Sequence, residues 1–390
     1  MIAIKLAIRN LLGAGLRTWL SVIVLSITFI LILLIHGFLE GWNRQAMHDM
    51  KEWEIGGGQY WHTEYDPHDP FTLEDSHRDI PSLFMGQANK GNYCPVLISQ
   101  ATIYPQGRMR SIIMKGIDPD QELLELPTSL LKGDFEEIPV IIGTAMARAT
   151  KLAKGDITTL RWRDVNGTFD AAEIVVAGIF KTNVPTVDAS QIWMSIVTMQ
   201  ELVSMNNEGT LIVISPEITN PHPVPGWEFK DTDSLLSAII STIKTKTIGS
   251  SFIYIVFLAL GLLAVFDTQV LSIFRRQKEI GTYVALGMTR KQVVGIFTVE
   301  GAMHSILAVL LGALWGIPLL AWLSKTGFGM PLSADEFGLA MAERIYPAYG
   351  IGLIMITLLL IVITTTIVSY LPSRRISKMN PTEAIRGKIQ

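Results

Sequence analysis

At 390 residues and a formal net charge of −3, the chain has room for two or three domains and lacks the chain-wide basic field of a nucleic-acid binder. Charged residues make up 17% and hydrophobic ones 49%, with a mean hydropathy of +0.36, which is high for a soluble enzyme. The single cysteine, Cys94, excludes an intramolecular disulfide.

The first predicted element is an apolar run, Thr18–Leu39, with no charged side chain. It is longer than the core of a signal peptide, and the next residues, Glu40-Gly41-Trp42-Asn43-Arg44, offer no small-x-small cleavage site, so it reads as an uncleaved transmembrane helix. Glu40–Trp53 continues as a polar helix up to Gly56-Gly57-Gly58. Between residues 60 and 225 the pattern changes to short strands: Val96–Ile103, Arg110–Ile117, Pro139–Ile142, Thr158–Arg163 and Glu173–Ile179. Asn166-Gly167 joins Ile157–Arg163 to Thr168–Val176 as a hairpin, and Thr144–Leu152 and Thr198–Met205 read as short helices. This outside segment, 40–247, is predicted to be an α+β domain with its own core.

Asp231–Thr247 carries Leu235, Leu236, Ile239, Ile240 and Ile243 at helical spacing and leads into a second span, 248–274. Two helices then leave the membrane side by side as a stalk; simple connectors are the alternative, and the scarcity of glycine favours the stalk. Two more spans follow, 293–324 and 345–371, so the chain reads as four transmembrane helices with the large domain inserted between the first and second. Lys5, Arg9 and Arg17 precede the first span, Arg275, Arg276, Lys278, Arg290 and Lys291 lie between the second and third, and Arg374, Arg375, Lys378, Arg386 and Lys388 follow the fourth. The short loop 325–344 has only Lys325 and Arg344, offset by Asp335, Glu336 and Glu343. Both termini and the loop 275–292 are therefore placed in the cytoplasm, and 40–247 on the other side.

Candidate chemistry is thin. His48, His62, His68 and His77 lie near Glu64, Asp66, Asp69 and Asp75, but Pro67 and Pro70 break the segment and no metal-binding spacing occurs; a solvated loop is the better reading. No nucleophile elbow or phosphate-binding loop is present, so the chain is read as non-catalytic. Asp267 and Glu300 lie toward the cytoplasmic ends of their spans, where water, Arg275 or Arg290 can satisfy them, and no acid sits at the midplane for a proton relay. The strongest signal is the loop after the second span. Glu279–Leu286 reads as an amphipathic helix closed by Gly287, and Thr289-x-x-Gln292 as a capping box that starts the third span. Such a helix shows Glu279, Tyr283 and the flanking bases to a cytoplasmic partner, or else anchors only to lipid headgroups.

Arg275–Gly287 resembles the "R-R-x-x-E-I-G-x-x-x-A-L-G" signature of FtsX-like ABC transporter permeases of the MacB and lipoprotein-releasing LolC/LolE group, the type VII systems. Lys5–Leu20 is similar to that family's amphipathic N-terminal helix, which places residues 1–17 on the cytoplasmic side, and Pro372-Ser373-Arg374-Arg375 with Asn380–Arg386 resembles its C-terminal ending. Ile142–Ala147 with Leu152–Asp156 resembles an extracytoplasmic "G-x-x-L-A…L-x-x-G-D" element, and Val176–Phe180, Asp188 and Gln200 a stretch of the LolC/LolE branch. The resemblance implies a MacB-like periplasmic core domain, an FtsX-like permease domain over 255–383 and a bacterial inner-membrane location.

It also implies a mechanism. A separate cytoplasmic ABC ATPase dimer holds ATP and magnesium and docks on Arg276, Lys278, Glu279, Ile280, Tyr283, Ala285, Leu286, Gly287 and Met288, so this chain binds no cofactor of its own. A second permease, the same chain or a paralogue, completes the transporter, with a periplasmic carrier or adaptor beyond it, and motion passes through the stalks, a mode called mechanotransmission. The family's substrate cavity lies between the first and second spans; Phe29, Leu33, Phe38, Ile253, Phe257 and Leu260 are candidate linings that ordinary helix packing explains equally well. Unlike the fused MacB form, no nucleotide-binding domain is expected ahead of residue 1. The leading expectation is release of lipoproteins from the inner membrane. The alternatives are MacB-like efflux of peptides, drugs or toxins, and FtsX-like control of a cell-wall hydrolase, whose outside domain is usually much smaller.

Overall fold

The computed structural model describes residues 15–67, 69–85, 91–329 and 344–378. The N-terminal amphipathic segment up to residue 14, His68 and the Asn380–Arg386 ending lie outside them. Contacts divide the chain into a helical unit (Met1–Trp42, Ile243–Phe328 and Ile345–Gln390) and a sheet-rich unit (Asn43–Thr242 and Gly329–Arg344).

The helices, in chain order, are α1 (Gly15–Met50), α2 (Thr144–Thr150), α3 (Pro185–Ala189), α4 (Ile196–Leu202), α5 (Thr232–Leu235), α6 (Ser237–Arg275), α7 (Gln277–Ala285), α8 (Arg290–Thr326) and α9 (Ile351–Ser373). Four of them, α1, α6, α8 and α9, contain stretches long and apolar enough to cross a bilayer. Their outer surfaces are apolar: Phe252 is 70% exposed, Leu314 77% and Ile356 72%, side chains that suit lipid rather than water.

The helices approach each other through small residues, which let backbones close without a hydrophobic drive between them. Gly261 of α6 faces Leu25 and Thr28, Gly312 and Gly316 of α8 face Phe29 and Ile30, and Gly301 of α8 faces Ser369 of α9. Ser26 accepts a 2.9 Å hydrogen bond from the Trp315 indole, and the hydroxyls of Ser21 and Thr268 pair between α1 and α6. Val22, Leu25, Phe29, Ile30 and Leu33 form the centre of the bundle with Val265, Ala308, Leu320 and Ile361.

Two expectations shift. The apolar run read as a span from Ile345 becomes helical only at Ile351: residues 344–345 form a short strand, and Gly350 is the extended N-cap. Pro347 in the intervening stretch also restricts its neighbour to extended backbone. On the approach to α6 the helix is not continuous from Asp231. Asp231 caps the four-residue α5, accepting from the Ser234 amide, and a new helix starts at Ser237 after Leu236, which is 2% exposed. The side chains of Ile239 and Ile243, expected to pack a stalk, lie outside the described ones.

The sheet-rich unit holds nine strands in one sheet: β1 (Gln59–His62), β2 (Tyr93–Ile103), β3 (Arg110–Ile117), β4 (Ile138–Gly143), β5 (Ile157–Arg163), β6 (Phe169–Phe180), β7 (Gln191–Ser195), β8 (Leu211–Ile214) and β9 (Trp227–Lys230). Their order is β9-β1-β8-β2-β3-β7-β4-β6-β5, and β5 pairs again with β2 at Ala101–Ile103, so six strands close into a ring. Closure removes the free edges of those strands. Alternate residues point inward: Leu97, Ile112, Val140, Leu160, Ile174 and Ile192 share one core, into which α2 and α4 send Met146 and Met199. The predicted hairpin is present as β5–β6, antiparallel from Ile157↔Val175 to Arg163↔Phe169. Its turn spans Asp164–Gly167, and only Gly167 takes a positive φ of 81°, so the glycine rather than Asn166 reverses the chain.

Candidate coupling site

The polar helix that follows the first apolar run ends in one wide turn, Lys51–Ile55, and Gly56 at φ 65° reverses the chain into β1. Glu54 on that turn is largely buried in the sheet-rich unit, its side chain 19% exposed. It accepts from Lys115 Nζ of β3 at 2.8 Å, Gln191 Nε2 of β7 at 3.2 Å and Thr186 Oγ1 of α3 at 3.1 Å, while Trp53 stacks on Phe180. Lys115 Nζ also lies 4.9 Å over the Trp193 ring. A buried charge needs such partners, and here it has three donors. Nothing in the sequence flags this anchor, because an acid in a polar helix reads as solvated.

The loop after α6 is built as its residues imply. α7 ends in a Schellman motif: Gly287 N donates to Val284 O at 3.1 Å and Met288 N to Tyr283 O at 3.1 Å, with Gly287 at φ 95°. Thr289 then caps α8, its hydroxyl accepting from Gln292 N while Gln292 Oε1 accepts from Thr289 N at 2.9 Å, the reciprocal capping box expected from the spacing. A backbone cap and a side-chain capping box thus fix the direction of α7 relative to α8 across the four residues Leu286–Thr289 that separate them.

Side chains hold it as firmly. Ile280 is 2% exposed and packs with Ile273, Val293, Val294, Phe297 and Ile376. Its burial stabilises the arrangement by about 1.5–3 kcal/mol. Arg276, the residue that joins α6 to α7, donates from Nη1 to both oxygens of Glu300 at 2.8 Å and from Nε to Glu279 Oε2 at 2.7 Å. Its guanidinium also lies 4.8 Å over the Phe297 ring. Burial works against the Arg276 charge, but the Glu300 and Glu279 carboxylates outweigh it and raise its pKa above the ordinary value. Glu300, 5% exposed, pairs with Arg276, a partner that the sequence reading of water, Arg275 or Arg290 does not name. Asp267 lies on the exposed surface of α6.

The nine residues expected to meet an ATPase separate accordingly. Arg276 and Ile280 face the bundle and brace α7, so they are not displayed as the family pattern had suggested. Tyr283 and Met288 are half-buried against the Ile280 cluster. Lys278, Glu279, Ala285, Leu286 and Gly287 are exposed, joined by Thr282, which sequence reasoning did not single out; Leu286 is 78% exposed.

The candidate cavity residues are not brought together. Phe29 and Leu33 are 4% and 3% exposed in the centre of the bundle, Phe38 packs edge-on against Phe328, and Ile253 and Leu260 lie on the outer surface at 45% and 56%. Phe257 is half-buried. Helix packing is the physical reason: the small residues of α6 and α8 close on α1 at the level of Leu25–Ile30.

Residues 251–381 match the family model described as FtsX-like permease C-terminal. The lipoprotein-releasing system transmembrane protein LolC of Neisseria meningitidis serogroup B is 22% identical over 325 residues, covering 75% of this chain and 77% of that protein. LolC of Xylella fastidiosa is 20% identical over 339 residues, 78% of this chain and 80% of its own length. The macrolide export ATP-binding/permease protein MacB 2 of Aeromonas hydrophila subsp. hydrophila is 25% identical over 170 residues, 43% of this chain, and the match spans only 24% of that protein. The matched segment includes α7 and the whole Arg276–Glu300 network. The chain therefore carries an FtsX-like permease domain at residues 251–381 and is a distant homologue of the MacB and LolC transporter permeases.

Proposed function

We propose that this chain is the permease subunit of a type VII ABC transporter that releases lipid-anchored proteins from the bacterial inner membrane. In this reading α7 is the coupling helix: a cytoplasmic ABC ATPase docks on Lys278, Glu279, Thr282 and Leu286 and hydrolyses ATP there. The observation that carries it is the pairing of an exposed face on α7 with an inward face locked to α8 by Arg276 and Ile280. A load on the exposed face is then passed to the third span rather than absorbed locally. The sheet-rich unit lies outside the cytoplasm, a second permease completes the complex, and Glu54 ties the end of the first helix into that domain, as mechanotransmission requires.

Lipoprotein release is favoured because the alignments with the LolC proteins run over three quarters of both chains, whereas the MacB alignment covers less than half of this one. The MacB relatives support a second reading, export of a peptide or drug with an adaptor and an outer channel. Co-purification from native membranes separates the two: a lipoprotein or its soluble carrier supports release, and an adaptor with an outer-membrane channel supports efflux. A cell-wall hydrolase as the stable companion counts against both. For the coupling helix, Glu279→Lys combined with Gly287→Pro is expected to abolish stimulation of the ATPase while leaving membrane insertion intact; unchanged stimulation in proteoliposomes rejects the assignment.

A further inference from the structure

Helices α6, α8 and α9 meet at Gly301. A Cβ placed there would lie 2.2 Å from Ser369 Oγ and 3.2 Å from Gln269 Cδ, so side chains of α6 and α9 converge on bare backbone of α8. Gly301 meets Ser369 while Ala308 shares a core with Ile361, which makes α8 and α9 antiparallel. One turn beyond Gly301, His304 lies on the same face of α8, and Thr365 lies one turn from Ser369 at the matching level of α9. Gln269, His304, Thr365 and Ser369 are each exposed by 1% or less. Gln269 Oε1, His304 Nε2, Thr365 Oγ1 and Ser369 Oγ have no hydrogen-bond partner among the described residues.

Their chemistry is complementary. His304 Nδ1 lies 3.0 Å from the Glu300 carbonyl oxygen, which can only accept, so Nδ1 carries the proton and Nε2 is an acceptor. Gln269 Oε1 is a second acceptor, and the two hydroxyls can donate. An occupant must therefore donate to some of these groups and accept from others, and water is the smallest molecule that does both. A metal cation suits the place poorly, because the neighbouring carboxylate, Glu300, already accepts from Arg276 with both oxygens.

We propose that ordered water occupies this junction and bridges Gln269, His304, Thr365 and Ser369. Water bridges can change partners as helices shift, whereas the tight contact of Gly301 on Ser369 cannot. The third span thus has a polar joint immediately beside the Arg276–Glu300 brace. The site is independent of which substrate or ATPase the permease serves.

The test is X-ray radiolytic footprinting of the full chain in lipid nanodiscs, where hydroxyl radicals born from bound water modify adjacent side chains. Phe297 is the internal control, being 0% exposed in an apolar cluster. His304 is expected to be oxidised severalfold faster than Phe297 although the two are almost equally buried, at 1% and 0% exposed. Oxidation of His304 no faster than Phe297 overturns the proposal. Thr365→Val supplies a second readout, since it removes a bridging hydroxyl without changing shape. A lowered melting temperature with slowed His304 oxidation is expected; a melting temperature that stays the same or rises means a dry, merely unsatisfied hydroxyl was removed, and contradicts the proposal.

Discussion

Removing the Glu300 carboxylate by Glu300→Gln tests how α7 is held. The side chains of Arg276 and Glu300 are 18% and 6% exposed, so the variant leaves a largely buried guanidinium without its main counter-charge. Breaking such a pair costs about 3–5 kcal/mol. Arg276 keeps Glu279 at 2.7 Å and the Phe297 face, and Glu279 is 54% exposed, so the lower end, about 3 kcal/mol, is expected. The partner variant Arg276→Met leaves a buried carboxylate and should cost a similar amount. The double variant, with apolar side chains at both positions (Arg276→Met with Glu300→Met), should recover most of the loss, because replacing a whole buried ion pair is often neutral. The assay is reversible denaturation of the purified permease in mixed micelles, read as a double-mutant cycle with Glu300→Met as the second single variant. A coupling energy above about 1.5 kcal/mol is expected; additivity within about 0.5 kcal/mol refutes the brace.

Gly301→Ala drives a Cβ to 2.3 Å from Ser369 Cβ and should destabilise the bundle by about 1–3 kcal/mol in thermal unfolding, with Ser369→Gly relieving it. Gly316→Ala meets Ile30 Cδ1 at 2.1 Å and Cγ1 at 2.7 Å, and because Ile30 is buried and its β-branched side chain is stiff in a helix, it should likewise cost about 1–3 kcal/mol. In the sheet-rich unit, Lys115→Met leaves Glu54 with only the neutral donors Gln191 and Thr186. A loss of about 3–5 kcal/mol is expected, visible as faster hydrogen exchange at β3 and β7. Burial, with Asp118 nearby, pushes the Cys94 thiol up to about 12, so almost no thiolate exists at pH 8 in the folded chain; a maleimide should label it only after denaturation. Rapid labelling of the native chain at pH 8 contradicts that burial.

Features written in local sequence were legible. The four apolar stretches, the Asn166-Gly167 hairpin, Gly287 ending α7 and the Thr289/Gln292 capping box each depend on residues a few positions apart, so their spacing carries the signal. The motif in the loop after α6 is local in the same way, and it points to the family whose model matches residues 251–381. What the spacing could not carry was partnership across long separations. Arg276 and Glu300 are 24 residues apart, and the choice among Arg275, Arg276 and Arg290 depends on how α6 turns into α7. Glu54 and Lys115 are 61 residues apart, on a helix end and a strand that only the folded domain brings together. Ile280 was placed on a docking face by the family resemblance alone; which stripe of α7 faces the bundle is decided by the pocket among Ile273, Val293, Phe297 and Ile376. Phe29 and Leu33 went inward for a similar reason, since Gly261 and Gly312 lie far from them in sequence but adjacent to α1.

The division of α7 into a braced face and a docking face is tested most directly by cysteine cross-linking in native membranes. Thr282 and Leu286 are exposed, Ile280 is 2% exposed, and the native Cys94 is buried and silent. Thr282→Cys and Leu286→Cys are expected to form adducts that contain an ABC ATPase subunit, and Ile280→Cys none. Adducts from Ile280→Cys, or none from either exposed position while the ATPase co-purifies with the permease, contradict the coupling role of this helix.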